Sequence, residues 1–267
     1  MTGPHYLSVC AIYWNEAPYL REWIELHRLV GVEHFYLYDN RSTDDHREVL
    51  APYMESGLAE MREWDLFPGQ LQAYDDCLAR HRGESRWIAF IDLDEFLFSP
   101  LGRPVPELLG EYEQFVGVGA NWCNFGDSGH ETKPDGLVTE NYVMRSDDAS
   151  RNWAVKSIVD PARTVRCGGN PHYFEYADGA LPVDENMQPF DKPGRTEGVS
   201  FERLRLNHYV TKSKEERARK LARPVAFDGR MKNPERVMER DRELNQVRDT
   251  TIQMYLPALK DALSARA

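Results

Sequence analysis

The feature that most constrains the fold is an alternation of apolar, strand-like runs with helix-like segments over the first hundred residues. In the segments between the strand-like runs, apolar residues recur at helical spacing, most clearly over residues 70–82. A β-α-β-α-β-α-β order of this kind predicts a mostly parallel central sheet flanked by helices, that is, an α/β fold. The strand-like runs cover residues 6–13, 34–38, 58–64 and 87–91.

Polar residues follow three of these predicted strands. Asn15 and Glu16 come after the first strand, Asp39 ends the second, and Asp92 follows the fourth. Ligands of parallel sheets bind beyond the carboxyl ends of the strands, so we expect these side chains to line one cleft. Helix capping is the alternative role for Asn15 and Glu16, and an Asx turn or helix cap is the alternative for Asp39.

The fourth strand runs directly into three carboxylates, those of Asp92, Asp94 and Glu95. Carboxylates this close repel one another, so a cation is needed to compensate them. Oxygen ligands of this type suit Mg²⁺ or Mn²⁺, which usually bind through one or two carboxylates together with substrate phosphates. A solvated acidic loop is the alternative reading of an isolated motif, and Glu95 could equally orient the metal's waters or form a structural pair.

Composition excludes several classes of function. The formal net charge of −11 disfavours non-specific binding to nucleic acid or to anionic membranes. The four cysteines are widely spaced and indicate neither a zinc site nor a disulfide framework. Residues 1–7 do not resemble a signal peptide, and no run of apolar residues is long enough for a membrane span. We therefore expect a cytoplasmic protein, either free or peripheral at the inner face of the membrane.

The regular alternation of strand-like and helix-like segments ends after Pro100. We predict one domain over residues 1–212, with a nucleotide-binding half at 1–100 and an acceptor half at 101–212, and C-terminal charged helices at 213–267 that pack on it. The segment 168–195 is rich in Gly, Pro and Asp and is predicted to be either a lid over bound donor or a packed Ω-loop. Further strands are predicted at 116–125, 156–159, 163–166 and 204–210, and helices at 213–223 and 234–248.

Several spaced blocks resemble glycosyltransferase family 92 and its bacterial relatives, which belong to the wider group of GT-A-fold transferases. The resemblance implies a GT-A-like fold, a nucleotide-sugar donor that is most simply UDP-linked, a divalent cofactor (Mn²⁺ or Mg²⁺) and transfer with inversion. It runs from Leu7 to about Lys220. The blocks, in order, are NEAPYL (15–20), EWIELH (22–27), GVEHFYLYDN (31–40), DCL (76–78), FIDLDEFL (90–97), FG with SGH (125–130), KSIV (156–159) and NHY (207–209).

The same resemblance suggests ligand roles. Asp92 and Asp94 resemble the metal-binding pair, with Asp92 also able to touch the nucleotide. His208 is the candidate for a third metal ligand, against the alternative of an ordinary core histidine, and His130 and His172 are weaker rivals for that position. Nucleotide contacts are assigned to Asn15, Glu16, Asp39 and Asp92.

An inverting transfer also needs a base that takes the proton of the acceptor hydroxyl. Asp127, in a glycine-flanked loop, is the candidate, with loop capping as its alternative role. Glu175, Asp184 and Glu185 are further possibilities in the segment 168–195.

The sequence thus predicts a metal-dependent glycosyltransferase that moves a sugar from a nucleotide-sugar donor to a hydroxyl acceptor such as a glycan. A haloacid-dehalogenase-like phosphatase is one alternative, because a strand followed by Asp-x-Asp also begins that site. A non-catalytic protein that binds a nucleotide sugar or a carbohydrate is the other.

Overall fold

The computed structural model describes residues 4–265, in which the predicted alternation of the first four strands with three helices is present. The strands are β1 (His5–Tyr13), β2 (His34–Asp39), β3 (Ala59–Glu63), β4 (Ser85–Phe90), β5 (Glu95–Phe98), β6 (Gly117–Asn124), β7 (Met144–Arg145), β8 (Val155–Val159), β9 (Thr164–Cys167), β10 (Phe174–Tyr176), β11 (Val183–Asp184), β12 (Arg205–His208) and β13 (Val247–Arg248). The α-helices are α1 (Ala17–Leu29), α2 (His46–Glu55), α3 (Gln70–His81), α4 (Val105–Leu109), α5 (Val138–Asn141), α6 (Ala149–Asn152), α7 (Lys214–Leu221), α8 (Pro234–Asp241) and α9 (Leu256–Ala265).

The central sheet has the strand order β3-β2-β1-β4-β8-β6-β12-β5, and β11 adds to β6. The first four strands are mutually parallel. Beyond them β8 runs antiparallel to both β4 and β6, β12 runs parallel to β6, and β5 closes the edge antiparallel to β12. Most of the strand pairs are parallel, so the predicted α/β class and mostly parallel sheet are confirmed.

The apolar runs are continuous because helices cover both faces of the sheet. In β1, Val9 and Ala11 face a core that includes Trp23 of α1. Cys10 faces the other core, which includes Tyr74 of α3. Successive side chains of a strand point to opposite faces, so the consecutive positions 9–13 are all apolar.

The predicted helix caps are partly correct. Ser213 caps α7 in a capping box with Glu216, and the side chain of Asn233 caps α8, as the sequence indicates. Asn15 does not cap α1, because the helix begins one residue later and the first amide, that of Ala17, donates instead to Asp44 Oδ2 at 2.8 Å. A carboxylate from the next loop therefore replaces the expected local cap.

The sequence did not indicate β5, at the end of the first hundred residues, or α9, and it also did not indicate the short elements α4, α5, α6, β7, β10, β11 and β13. The segment 168–195 is packed on the sheet through β11 and through Tyr176 and Phe190. A Cβ added at Gly119 would lie 2.8 Å from Phe190 Cζ, which shows how closely the segment approaches the strand. These contacts favour the packed loop over the lid.

None of the helices within residues 4–265 is both long and apolar enough to cross a bilayer. The domain division at residue 212 stays a prediction.

Candidate active site

A cleft of about 410 Å³ opens beyond the carboxyl ends of the parallel strands β1 and β4. Its opposite side is formed by the chain that follows β12. Asp39 and Asp127 lie outside it. The predicted site residues that line the cleft are Asn15, Glu16, Asp92, Asp94 and His208.

The Asp92 carboxylate is held by three donors. Lys156 Nζ of β8 lies 2.8 Å from Oδ2, and Gln70 Nε2 and Tyr74 Oη of α3 donate to Oδ1 at 2.9 and 3.3 Å. Burial alone would raise the pKa of Asp92, but the Lys156 ammonium outweighs burial, and the pKa lies below its usual value. Asp92 is therefore an ionised carboxylate in a fixed orientation.

Glu95 lies behind Asp92 and is fully buried. Its Oε2 accepts a hydrogen bond from the Asp92 amide at 2.8 Å, and its Oε1 accepts one from Trp122 Nε1 at 2.7 Å. Burial raises the pKa of Glu95 to about 8, although Lys156 Nζ, 3.6 Å away, acts in the opposite direction. These contacts favour the structural role for Glu95, because they orient the acidic loop and the indole of Trp122.

Asp94 and His208 face each other across the cleft floor, with His208 Nε2 3.5 Å from Asp94 Oδ2. Lys220 of α7 also binds Asp94 Oδ2. Burial would raise the pKa of Asp94, but Lys220 and His208 together hold it well below its usual value. Strand pairing creates this arrangement, since His208 of β12 is in register with Glu95, the residue after Asp94.

The hydrogen-bond network fixes the tautomer of His208. Asn124 Nδ2 donates to the Arg151 carbonyl, so Asn124 Oδ1 is the atom that faces His208 Nδ1, at 2.8 Å. His208 Nδ1 therefore carries the proton. Burial lowers the pKa of His208, so the neutral ring presents the Nε2 lone pair to the Asp94 carboxylate. Two acceptors that face each other are a natural binding place for a cation.

The residues present fit a divalent cation held by two protein ligands. Carboxylate oxygen suits Mg²⁺ and Mn²⁺, imidazole nitrogen suits the transition metals, and substrate phosphates commonly complete such sites. Within residues 4–265, no three His, Cys, Asp or Glu side chains converge as a ready-made metal site. The contacts do not support Asp92 as a further ligand, because Lys156 binds its Oδ2. Asp94 and His208 remain the candidates.

The predicted nucleotide contacts divide into two groups. Asn15 and Glu16 lie in the cleft, where Asn15 Oδ1 accepts a hydrogen bond from the Thr43 amide at 2.7 Å. Asp39 is buried, and its Oδ1 accepts a hydrogen bond from the Ser42 amide at 2.9 Å. This is the Asx-turn alternative, so the structure does not support a nucleotide contact for Asp39.

The structure also does not support Asp127 as the base. Its Oδ1 accepts hydrogen bonds from the Gly129 amide and from Asn245 Nδ2, both at 2.9 Å, and the loop lies away from the cleft. These contacts are the loop-capping role considered as the alternative for Asp127.

The other carboxylates predicted as possible bases also bind neighbouring groups. Glu175 pairs with Arg166, and Asp184 accepts hydrogen bonds from the Asn186 and Gln188 amides. Glu185 accepts hydrogen bonds from the amides of residues 202–204.

His172 is the ionisable side chain in the cleft that best fits the role of base. Its Nδ1 lies 2.8 Å from the Val155 carbonyl, which can only accept, so Nδ1 carries the proton and Nε2 is an acceptor. Burial lowers the pKa of His172 to about 4, so the ring is neutral at physiological pH. The ring packs edge-on against Trp122. The sequence suggested His172 only as a weaker metal ligand.

Residues 212–232, called the basic wall below, form the side of the cleft opposite the sheet. They contain eight basic and three acidic residues in a chain whose net charge is −11. The Ala226 carbonyl accepts hydrogen bonds from the Gly69 and Gln70 amides at 3.0 and 3.3 Å, which ties the wall to the start of α3. The basic side chains that line the cleft are Lys212, Arg217, Arg219, Lys220, Arg223 and Lys232.

Not all of these cations are neutralised. Lys212 lies 3.5 Å from Glu16, and Arg217 forms a two-point ion pair with Asp241. Within residues 4–265, Arg223 and Lys232 form no ion pair with a carboxylate. The wall therefore offers uncompensated positive charge to an anionic ligand.

Sequence reasoning missed Gln70, Tyr74, Lys156 and the basic wall. The excess of basic residues over 212–232 was a usable signal for the wall. A lysine at the start of an otherwise apolar strand was a weaker signal for Lys156. The contacts of Gln70 and Tyr74 with Asp92 have no local signal in the sequence, because they depend on how α3 packs on the sheet.

The chain is similar in sequence to known glycosyltransferases. The model of glycosyltransferase family 92 matches residues 4–255. A glycosyltransferase family 92 protein of Oryza sativa subsp. japonica is 35% identical over 67% of this chain and 31% of its own length. Galactan β-1,4-galactosyltransferase GALS2 of Arabidopsis thaliana is 36% identical over 40% of this chain and 23% of its own length.

Among solved structures, glucosyl-3-phosphoglycerate synthase from Mycobacterium tuberculosis, in complex with Mn²⁺, UDP-glucose and phosphoglyceric acid, is 26% identical. The match covers 44% of each chain, with a TM-score of 0.32. The curated family 92 relatives match more than half of this chain. The chain spans only about a third of their length.

Proposed function

Because the chain belongs to glycosyltransferase family 92, we propose that it transfers a sugar from a UDP-linked donor to a hydroxyl acceptor, with inversion, and that it uses Mn²⁺ or Mg²⁺. The single observation that carries the proposal is the facing pair Asp94 and His208, which lies in one cleft with the basic wall. This arrangement provides cation ligands on one side and anion-binding side chains on the other. It suits a nucleoside diphosphate.

The residues have separable tasks. Asp94 and His208 would hold the cation, which would neutralise charge on the leaving diphosphate. Asp92, fixed by Lys156, would accept hydrogen bonds from donor hydroxyls with the free lone pair that faces the cleft. Asn15 and Glu16 would contact the nucleotide at the end of β1.

His172 would act as the base. Its Nδ1–H is held by the Val155 carbonyl, and its Nε2 would accept the proton of the acceptor hydroxyl as that oxygen attacks the anomeric carbon on the face opposite the departing diphosphate. A deprotonated, oriented nitrogen at neutral pH satisfies this requirement, and the packing of the ring against Trp122 keeps it in place.

A panel of UDP-sugars, assayed for UDP release with Mn²⁺, with Mg²⁺ and with EDTA, tests the proposal. We expect metal-dependent release from at least one donor. A phosphatase would instead release phosphate from a phosphomonoester, and a binding protein would bind UDP without turnover. Either result would replace the proposed function. The predicted cytoplasmic location is part of the proposal and needs a separate test.

A further inference from the structure

Each aspartate of the acidic pair has its own lysine, and the two lysines lie in different environments. Lys156 Nζ is 2.8 Å from Asp92 Oδ2, and the lysine side chain is only 1% exposed. Lys220 pairs with Asp94 Oδ2, and its side chain is 45% exposed. The lysine is therefore buried in one pair and half exposed in the other, whereas the side chains of Asp92 and Asp94 are 33% and 10% exposed.

Lys156 cannot leave Asp92 at low cost. It belongs to β8 in the middle of the sheet, and its ammonium also lies 3.6 Å from Glu95 Oε2. Withdrawing the ammonium would leave a fully buried carboxyl group and a largely enclosed one without a cation, which is strongly destabilising. Asp92 therefore keeps its lysine in every state of the protein.

Lys220 can leave Asp94 easily. It lies near the end of α7 and its side chain is 45% exposed, so it can move into solvent, and Asp94, which is only 10% exposed, then needs another cation. The surroundings of Lys220 are already cationic: partial burial, Lys220 and Arg217 together lower the pKa of Lys232. An ammonium released from Asp94 would thus lie near Lys232, which forms no ion pair within residues 4–265, so an anionic ligand is needed to bind both cations.

Asp94 Oδ2 cannot bind the Lys220 ammonium and a divalent cation equally well, because both need the same oxygen. His208 Nε2 faces that oxygen, so a metal ion bound there would gain a second protein ligand. The protein therefore presents two alternative counter-ions for one carboxylate.

We propose that Lys220 is an exchangeable counter-ion, which holds Asp94 in the free protein and moves to the donor diphosphate when a divalent cation binds Asp94 and His208. The inference rests on the proposed function and adds a binding residue to it. Lys220 then acts against the metal and in favour of the nucleotide. These opposite effects distinguish it from a lysine with a purely structural role.

Lys220→Met tests this directly in two binding measurements. Titration of Mn²⁺ without nucleotide, followed by electron paramagnetic resonance of the free ion, should show affinity about tenfold higher than in the unaltered protein, because a competing charge is gone. Calorimetric titration of UDP at saturating Mn²⁺ should show affinity about tenfold lower, because a diphosphate contact is lost. Lys220→Gln should behave in the same way, which covers the case that one variant folds poorly.

Lys214→Met is the matched control, since Lys214 lies on the same helix and pairs with Glu131 outside the cleft. It should leave both affinities unchanged. Mn²⁺ affinity that stays constant or falls in both Lys220 variants would overturn the exchange, and so would unchanged UDP affinity. If the unaltered protein bound neither UDP nor UDP with Mn²⁺, the proposed function itself would be overturned.

Discussion

The two walls of the cleft differ in how their charges are compensated. On the sheet wall, formed by Asp92, Glu95 and Lys156, the lysine and Glu95 are buried and Asp92 is paired with Lys156 within the fold. On the basic wall, residues 212–232, several charges are exposed and some have no ion-pair partner within residues 4–265. The sheet wall is therefore complete without a ligand, whereas the basic wall is completed by one. This contrast indicates which part of the site is structural and which part responds to binding.

Asp94→Asn should have the largest effect, because Asp94 is the carboxylate shared by both walls. We expect kcat/KM for transfer, or for donor hydrolysis, to fall by at least about 1,000-fold. The free energy of unfolding should change by no more than about 1 kcal/mol, since the lost partner Lys220 is half exposed. Steady-state kinetics and urea unfolding measure the two quantities.

Asp127→Asn is the matched control for that variant, because it makes the same chemical change outside the cleft. Its activity should stay within about twofold of the unaltered protein. A loss as large as that of Asp94→Asn would restore Asp127 as the base and remove His172 from that role.

Lys156→Met should separate the two walls by stability. Removing the buried ammonium leaves the Asp92 carboxylate uncompensated beside the buried Glu95 side chain, and we expect a loss of about 3 kcal/mol in the free energy of unfolding. Lys220→Met should cost less in the same urea experiment, because the Lys220 side chain is 45% exposed. Equal losses in the two variants would contradict the contrast between a fixed and an exchangeable lysine.

His172→Gln should reduce kcat by about 100-fold with little change in the KM for the donor, because a base acts in the chemical step. His130→Gln is the control, since His130 lies outside the cleft and contacts Tyr142. A large rise in donor KM with constant kcat would instead make His172 a binding residue.

The smallest expected effect concerns pH and the sheet side of the molecule. His27 is fully buried, donates to the Trp23 carbonyl through Nδ1 and accepts from the Leu97 amide through Nε2, so only the neutral ring fits. Burial lowers the pKa of His27 to about 4. The unfolded chain, with a pKa of about 6.5, binds more protons between these values, so stability falls as the pH drops through that window.

From pH 7 to pH 5.5, we expect His27 to account for a loss of about 1 kcal/mol in the free energy of unfolding. Urea unfolding at the two pH values measures this loss. His27→Gln, compared at the same pH values, should show a shallower dependence. An unchanged dependence would assign the acid sensitivity to other groups.

The sequence predicted those parts of the molecule that depend on local pattern or on spaced motifs. The spacing and number of apolar residues identified the parallel half of the sheet. The resemblance to glycosyltransferase family 92 pointed to Asp94 and His208. The structure gives no support to the roles predicted for Asp39 and Asp127, because both lie outside the cleft and each accepts a hydrogen bond from a nearby loop amide. No local pattern separates these two roles.

Contacts between distant segments were the main omission. Lys156 reaches Asp92 from β8, and Lys220 reaches Asp94 from α7, across sequence separations of 64 and 126 residues. Such pairs depend on strand order and helix packing, which composition and periodicity do not encode. The surplus of basic residues over 212–232 was visible in the sequence. Its position opposite the acidic pair became evident only in the structure.

The pairing of β12 with β5 has a consequence for how the chain reaches its native state. Within residues 4–265, β5 lies at the edge of the sheet and pairs there with β12, so a nascent chain that has not reached Arg205 has the apolar residues Phe96, Leu97 and Phe98 without their strand partner. Unpaired strands of this type promote aggregation, and contacts between distant residues form slowly. The chain must therefore be synthesised past His208 before this edge is protected, and the interval before β12 emerges is one in which the unpaired strand can aggregate.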